Sequence, residues 1–277
     1  MKNNLKSIIE KEGPKFADVN YELPFWSAPF GLTLLDTVKL KPKMKALDIG
    51  CGNGFPLFEL AGRLCKDSKI FGIDSYEKAI GEVKRKISVF NQTNAEGVFC
   101  TAEELPFEND FFDLIVSNNG INNVQDLNKT LSECYRVLKP GGQFVFTFNL
   151  PESLKEFYEV FESVLEELGL LNEIQKMHEH IFEKRKPIGY MEKIVIKNNF
   201  KISGIIENKF NFKFVNGTAF FDNFLFKFRF LPSWISILPE QRIDEVFTII
   251  EEGLNELSSK NGELIMTIPY ACFECEK

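Results

Sequence analysis

Short apolar runs alternate with stretches of helical spacing along the first half of the chain. Each run is bounded by glycine, proline or polar residues, which is typical of buried strands. The runs predict five strands, at residues 46–49, 69–74, 97–101, 112–118 and 143–149. Apolar residues at helical spacing predict helices at residues 31–40, 57–64, 76–90 and 127–138. Strands that alternate with helices predict an α/β fold built on a parallel sheet.

The first strand leads into a turn that contains three closely spaced glycines. Residues 45–54 read K-A-L-D-I-G-C-G-N-G, and a helix with Pro56 in its first turn follows. Glycines at alternate positions let the backbone pass close to a ligand, so strand, turn and helix form a nucleotide-binding corner. Gly54 comes one residue too early for the dinucleotide pattern G-x-G-x-x-G. Asp48 places a negative charge beside the turn, which favours a cationic ligand over a phosphate.

Residues 47–54 resemble motif I of the class I S-adenosylmethionine-dependent methyltransferases. Residues 136–142, R-V-L-K-P-G-G, resemble the branch of that family that acts in ubiquinone and menaquinone biosynthesis. The resemblance covers residues 44 to about 150. It implies a Rossmann-like seven-stranded mixed sheet with a helical, phenylalanine-rich cap insertion. It also implies S-adenosylmethionine as the cofactor and methyl transfer to a small-molecule acceptor.

The same resemblance implies where the cofactor binds. Asp74 ends the second strand and matches the acid that binds both ribose hydroxyls, although it could instead cap the following helix. Thr101 replaces the acid of the family wording D-A-x-x-L-P-F, so its contact with adenine lacks the charge of a carboxylate. The amide-rich loop after the fourth strand is expected to border the methionine end. The predicted cofactor residues are Asp48, Gly50, Cys51, Gly52, Gly54, Asp74, Ser75, Thr101, Ala102, Glu103 and Asn118.

The second half of the chain predicts helices at residues 154–168, 173–185 and 188–199. The methyltransferase order then implies strands at 200–208 and 263–269. We therefore expect residues 1–43 to cover the cofactor or substrate, 44–208 and 263–277 to form the core, and 209–262 to form an inserted cap. That cap carries phenylalanines at strand spacing and then at helix spacing. They indicate either an ordinary core, or an apolar or aromatic acceptor beneath the cap, or contact with a membrane surface.

Candidates for acceptor binding and catalysis are few. Methyl transfer from a sulfonium needs alignment more than a catalytic side chain, but a hydroxyl acceptor would benefit from a base. The two histidines, His178 and His180, are not spaced as in H-E-x-x-H, and a solvated helix face is an alternative for both. His180 is the candidate base because apolar residues flank it. The candidate substrate-binding residues are Tyr21, Trp26, Asn122, His180 and Arg185.

Composition restricts the partners. The 277 residues carry a net charge of -7, which argues against a nucleic-acid partner. No apolar run approaches the roughly 20 residues that span a bilayer, and the N-terminus lacks a signal-peptide core, so we expect a cytoplasmic protein without integral membrane association. Six dispersed cysteines predict reduced thiols and no metal site. Two alternatives remain: an inactive S-adenosylmethionine-binding regulatory or partner protein, and a nicotinamide oxidoreductase. The sequence leaves the oligomeric state open.

Overall fold

The computed structural model describes Lys6 and residues 25–277. The predicted role of Tyr21 lies outside the described residues. The described chain divides into two compact units. The sheet unit contains residues 25–150, 184–208 and 270–277, and the helical unit contains residues 151–183 and 209–269. The predicted domain boundaries stay a prediction.

A seven-stranded sheet organises the sheet unit, as predicted. Its strands are β1 (Lys45–Ile49), β2 (Lys69–Asp74), β3 (Ala95–Phe99), β4 (Phe112–Asn118), β5 (Leu138–Asn149), β6 (Lys201–Phe214) and β7 (Leu264–Glu276). The strand order is β3-β2-β1-β4-β5-β7-β6. The first five strands pair in parallel, and β7 runs antiparallel to β5. The mixed α/β sheet is therefore confirmed.

The last two strands are longer than the sequence pattern predicts. β6 continues past residue 208 to Phe214, and β7 continues past residue 269 to Glu276. Each of these two strands has residues in both units. The alternating phenylalanines at 210, 212 and 214 lie in β6, as their spacing predicts.

Ten α-helices accompany the strands in the described part of the chain. They are α1 (Ala28–Thr37), α2 (Leu57–Arg63), α3 (Glu77–Phe90), α4 (Leu127–Val137), α5 (Lys155–Glu167), α6 (Leu171–Lys184), α7 (Ile188–Lys197), α8 (Gly217–Asp222), α9 (Leu231–Ile235) and α10 (Ile243–Asn261). None of the helices described here has both the length and the apolar character needed to cross a bilayer.

Both faces of the sheet are buried. Leu47 and Ile49 of β1 belong to one apolar cluster, and Ala46 belongs to the other. Because side chains alternate along a strand, Asp48 lies on the same face as Ala46. That face is covered by α2 and α3, whose buried residues include Leu57 and Ile80. The face of β1 that carries Asp48 is therefore buried beneath these two helices.

An aromatic core fills the helical unit. The Trp234 ring stacks on Phe157 with centroids 4.0 Å apart, and its Nε1 donates a hydrogen bond of 2.9 Å to the Tyr158 hydroxyl. Phe220 and Phe226 are fully buried, with ring centroids 4.6 Å apart. These phenylalanines fill the interior of their own unit, which is the ordinary-core interpretation of the phenylalanine run.

The parallel strands place their carboxyl ends at one edge of the sheet. Ile49, Asp74, Phe99, Asn118 and Asn149 are the last residues of β1 to β5. An open α/β sheet binds its ligands beyond this edge. The loops that leave these strands therefore define the candidate site.

Candidate functional site

The glycine turn after β1 uses a backbone that side chains disfavour. Gly50, Gly52 and Gly54 have φ angles of 69°, 50° and 101°. A Cβ on Gly54 would lie 2.2 Å from the Phe58 ring, whereas a Cβ on Gly52 would meet no atom within 4 Å. Gly52 is therefore the point where the turn is open, and a ligand can approach its backbone closely.

Asp74 connects the end of β2 to this turn. Its Oδ2 accepts a 2.9 Å hydrogen bond from the Gly52 backbone N–H, and its Oδ1 accepts one of 2.9 Å from the Tyr76 N–H. Each carboxylate oxygen keeps a further lone pair for a ligand. The helix-cap role and the ligand role are thus compatible. The carboxylate of Asp74 accepts hydrogen bonds from the glycine turn and from the start of α3, and it still has lone pairs that can bind a ligand.

Asp48 is a buried acid below the same turn. Its side chain is fully buried, and neither carboxylate oxygen has a hydrogen-bond partner. Burial raises the pKa of Asp48 well above its ordinary value, the negative charge of Asp74 raises it further, and the Leu57 backbone amide lowers it. An unpaired buried acid of this kind is costly unless a cation or a proton compensates it.

A cavity of about 260 Å³ opens at this edge of the sheet. Six predicted cofactor residues line it: Gly50, Asp74, Ser75, Thr101, Ala102 and Glu103. Its other lining residues are Ile49, Ile73, Cys100, Gly120, Asn123, Val124 and Gln125. Among all these lining residues two are acidic and none is basic, so the cavity favours a ligand without phosphate groups.

Five predicted cofactor residues do not line the cavity: Asp48, Cys51, Gly52, Gly54 and Asn118. The Cys51 side chain is buried in the apolar cluster below the turn, and burial raises its pKa. The Asn118 amide donates to the Ser27 carbonyl oxygen at 3.0 Å and accepts from the Thr147 hydroxyl at 3.1 Å. Asn118 thus ties the chain before α1 to the ends of β4 and β5.

Glu103 forms hydrogen bonds to the loop at residues 124–126, which the sequence analysis did not assign to the site. Its Oε1 accepts hydrogen bonds from the backbone N–H groups of Gln125 at 2.7 Å and Asp126 at 3.2 Å. Gln125 and its neighbour Val124 line the cavity, although neither belongs to a recognised sequence motif. The only signal near them was the amide-rich run at 118–123, so their place could not be read from residue type.

The predicted acceptor residues are scattered. Trp26 lies just before α1, and its ring is 5.7 Å from that of Phe30. Asn122 belongs to the loop after β4, and Arg185 is buried and follows α6. His180 lies on α6 in the helical unit and is half-buried. None of these four residues lines the cavity.

Comparison with known proteins gives a consistent result. A family model described as "Methyltransferase domain" matches residues 40–199. The demethylmenaquinone methyltransferase of Bacillus mycoides is 36% identical over 139 residues, which cover 50% of this chain and 59% of that protein.

Solved structures share the fold at low identity. A methyltransferase candidate from Bacillus halodurans has a TM-score of 0.60 at 17% identity, covering 89% of this chain and 98% of that one. Phosphoethanolamine N-methyltransferase 2 of Haemonchus contortus, solved with S-adenosylmethionine, has a TM-score of 0.54 at 18% identity. This match covers 89% of this chain and 52% of that one.

The cavity residues fit S-adenosylmethionine, and the match to a methyltransferase family model agrees with that cofactor. The open lone pairs of Asp74 suit two ribose hydroxyls. The acidic lining and the orphaned Asp48 suit a ligand that carries a sulfonium and an ammonium. A Cβ on Gly52 would meet no atom within 4 Å, so this part of the turn has open space around it.

Replacing Asp74 tests the ribose contact. We expect Asp74→Ala to weaken S-adenosylmethionine binding roughly 10- to 100-fold, because charge-assisted hydrogen bonds to the ligand are lost. Isothermal titration calorimetry measures the change. Asp67→Ala removes an exposed acid away from the cavity and serves as the control. Unchanged affinity in Asp74→Ala would remove this residue from the site.

The buried acid predicts a pH dependence of binding. Because the pKa of Asp48 is raised, the free protein retains a proton there at pH values where an exposed aspartate is ionised. A bound cation lowers that pKa, so binding should release the proton, and affinity should rise as the pH rises through the raised pKa. Titrations in buffers of different ionisation enthalpy count the protons released.

Asp48→Asn is the matched variant for this measurement. It keeps the shape of the side chain but has no proton to lose in this pH range. We expect its binding to release fewer protons and to show a flatter pH profile. The same proton release in both proteins would assign the titration to another group.

Proposed function

Because the chain belongs to the family of methyltransferase domains, we propose that it transfers the methyl group of S-adenosylmethionine to a small-molecule acceptor. The observation that carries the proposal is the bonding of Asp74 to the Gly52 amide beside a cavity with an acidic lining. A carboxylate and an open stretch of backbone beside this cavity support the binding of a cationic nucleoside. The chain matches 59% of the length of its curated relative, so the activity is inferred.

The protein residues would act mainly by positioning. When bound, the cofactor supplies an electrophilic methyl group on a sulfonium. Asp74 would orient the ribose, and the open space at Gly52 would let the ligand approach the protein backbone. Asp48 would add negative potential below the turn. Alignment of this kind can contribute on the order of 7–11 kcal/mol to lowering a reaction barrier.

Fewer observations bear on the identity of the methyl acceptor. The named relative methylates demethylmenaquinone, according to its name, and this supports an apolar or aromatic acceptor. The family model ends at residue 199, however, so residues 209–262 carry no such support. The buried phenylalanines of that segment pack among themselves and do not argue for an apolar ligand. We propose that this segment is an inserted cap.

A direct assay tests the proposal. We expect the purified protein to bind S-adenosylmethionine but not NAD by calorimetry, and to form S-adenosylhomocysteine with at least one member of a panel of phenols, hydroquinones, amines and thiols. The Asp74→Ala variant is the matched control for turnover. Binding without turnover across the panel would favour the inactive regulatory alternative, and binding of NAD would favour the oxidoreductase.

His180 is proposed as the general base or as an acceptor-binding residue. If it removes a proton from the acceptor, His180→Gln should lower kcat by roughly 10²- to 10⁴-fold with S-adenosylmethionine affinity unchanged. The matched control is His178→Gln, because His178 is exposed on the same helix and bonds to Glu162 at 2.9 Å. Equal activities of the two variants would contradict the base role.

A further inference from the structure

A cluster of side-chain amides lies at the carboxyl ends of β4 and β5. The Asn122 amide nitrogen donates to Oδ1 of Asn119 and, at 3.2 Å, to Oδ1 of Asn149. The hydroxyl of Thr147 donates to Oδ1 of the neighbouring Asn118. The carbonyl oxygens of Asn118, Asn119 and Asn149 are thus already accepting hydrogen bonds inside the cluster.

The side-chain amide nitrogens of the four asparagines differ in their hydrogen bonding. Those of Asn118 and Asn122 donate within the protein, whereas those of Asn119 and Asn149 donate to no group among the described residues. Asn149 is only 7% exposed, yet its amide nitrogen still reaches accessible space. A side chain that is held in place and almost fully covered, with its donor still accessible, offers a hydrogen bond to an acceptor atom of a bound ligand.

The position of the cluster relates it to the cofactor cavity. Asn119 directly precedes Gly120, which lines the cavity, and Asn149 ends the adjacent strand β5. The predicted ribose and adenine contacts, Asp74 and Thr101, follow β2 and β3 on the other side of β1. If the adenosine lies over those strands, then the methyl end of the cofactor points toward β4 and β5.

From this arrangement we propose that Asn119 and Asn149 bind an oxygen atom of the methyl acceptor. The proposal rests on the proposed function and deepens it, because it assigns the acceptor to the class that carries a carbonyl, phenolate or enolate oxygen. Two amide donors would stabilise negative charge on that oxygen and so favour the ionised, nucleophilic form of a phenol. An ammonium-bearing acceptor finds the opposite, since the cluster presents donors to it.

Binding of 4-nitrophenol to the protein loaded with S-adenosylhomocysteine tests the proposal without turnover. We expect 4-nitrophenol to bind roughly 10-fold or more tightly than 4-nitrotoluene, which has a methyl group in place of the hydroxyl. The absorbance of the phenolate should show that the bound phenol ionises at a lower pH than the free phenol. Equal affinity for the two probes would overturn the proposal.

Three variants assign the effect to these side chains. Asn149→Ala removes one donor, and Asn149→Asp keeps its shape while replacing the donor with an acceptor. Asn119→Gly removes the other donor at a residue whose φ is 60°, a conformation that glycine adopts readily. We expect each to abolish most of the preference for 4-nitrophenol and the shift in its ionisation, with S-adenosylhomocysteine affinity unchanged.

Asn128→Ala is the control, because Asn128 is an exposed asparagine that accepts a 3.2 Å hydrogen bond from Asn198. It should behave as the wild type. Retention of the preference in the Asn149 and Asn119 variants would overturn the proposal. A protein that discriminates the two probes but forms no S-adenosylhomocysteine would contradict the proposed function and support the oxygen site, so the two failures are distinguishable.

Discussion

The hydrogen bond from the Gly52 amide to Asp74 is the contact on which the site depends. It joins the turn after β1 to the tip of β2, and the backbone bond from Cys51 to the Ile73 carbonyl at 2.9 Å reinforces the same junction. On the other side, a Cβ on Gly50 would lie 3.0 Å from the Cα of Gly120, so two loops meet at glycine. The turn is therefore fixed from both neighbouring strands, and its open point at Gly52 keeps a defined position.

Much of this arrangement could be predicted from the sequence because it is local. An apolar run, an acid and alternating glycines specify a strand and a turn within ten residues, and an acid after the next strand must lie at the same edge of a parallel sheet. The hydrogen bonds of Glu103 could not be predicted in the same way. Its bonds to the amides of Gln125 and Asp126 join loops that are more than 20 residues apart in the chain. Such a contact depends on sheet register, which residue types do not reveal.

The strand lengths show a second limit of pattern reading. Phenylalanines at 210, 212 and 214 alternate correctly, but the strand order implied an end at residue 208, and β6 continues to Phe214. Side chains on the added part pack against Phe220 and Phe226 of the helical unit. A second core thus extends the strand beyond the sheet that its family resemblance predicts. The same packing explains the abundance of phenylalanine there without a ligand.

The electrostatics of the site have a consequence for the order of binding and release. Asp48 and Asp74 raise each other's energy when both are ionised, and burial prevents water from screening Asp48. A sulfonium cofactor would relieve this repulsion, whereas its demethylated product carries a neutral thioether at that position. Methyl transfer would therefore remove the charge that the acids favour. A site built on these two carboxylates should hold the methyl donor more strongly than the spent product, which favours exchange after each turnover.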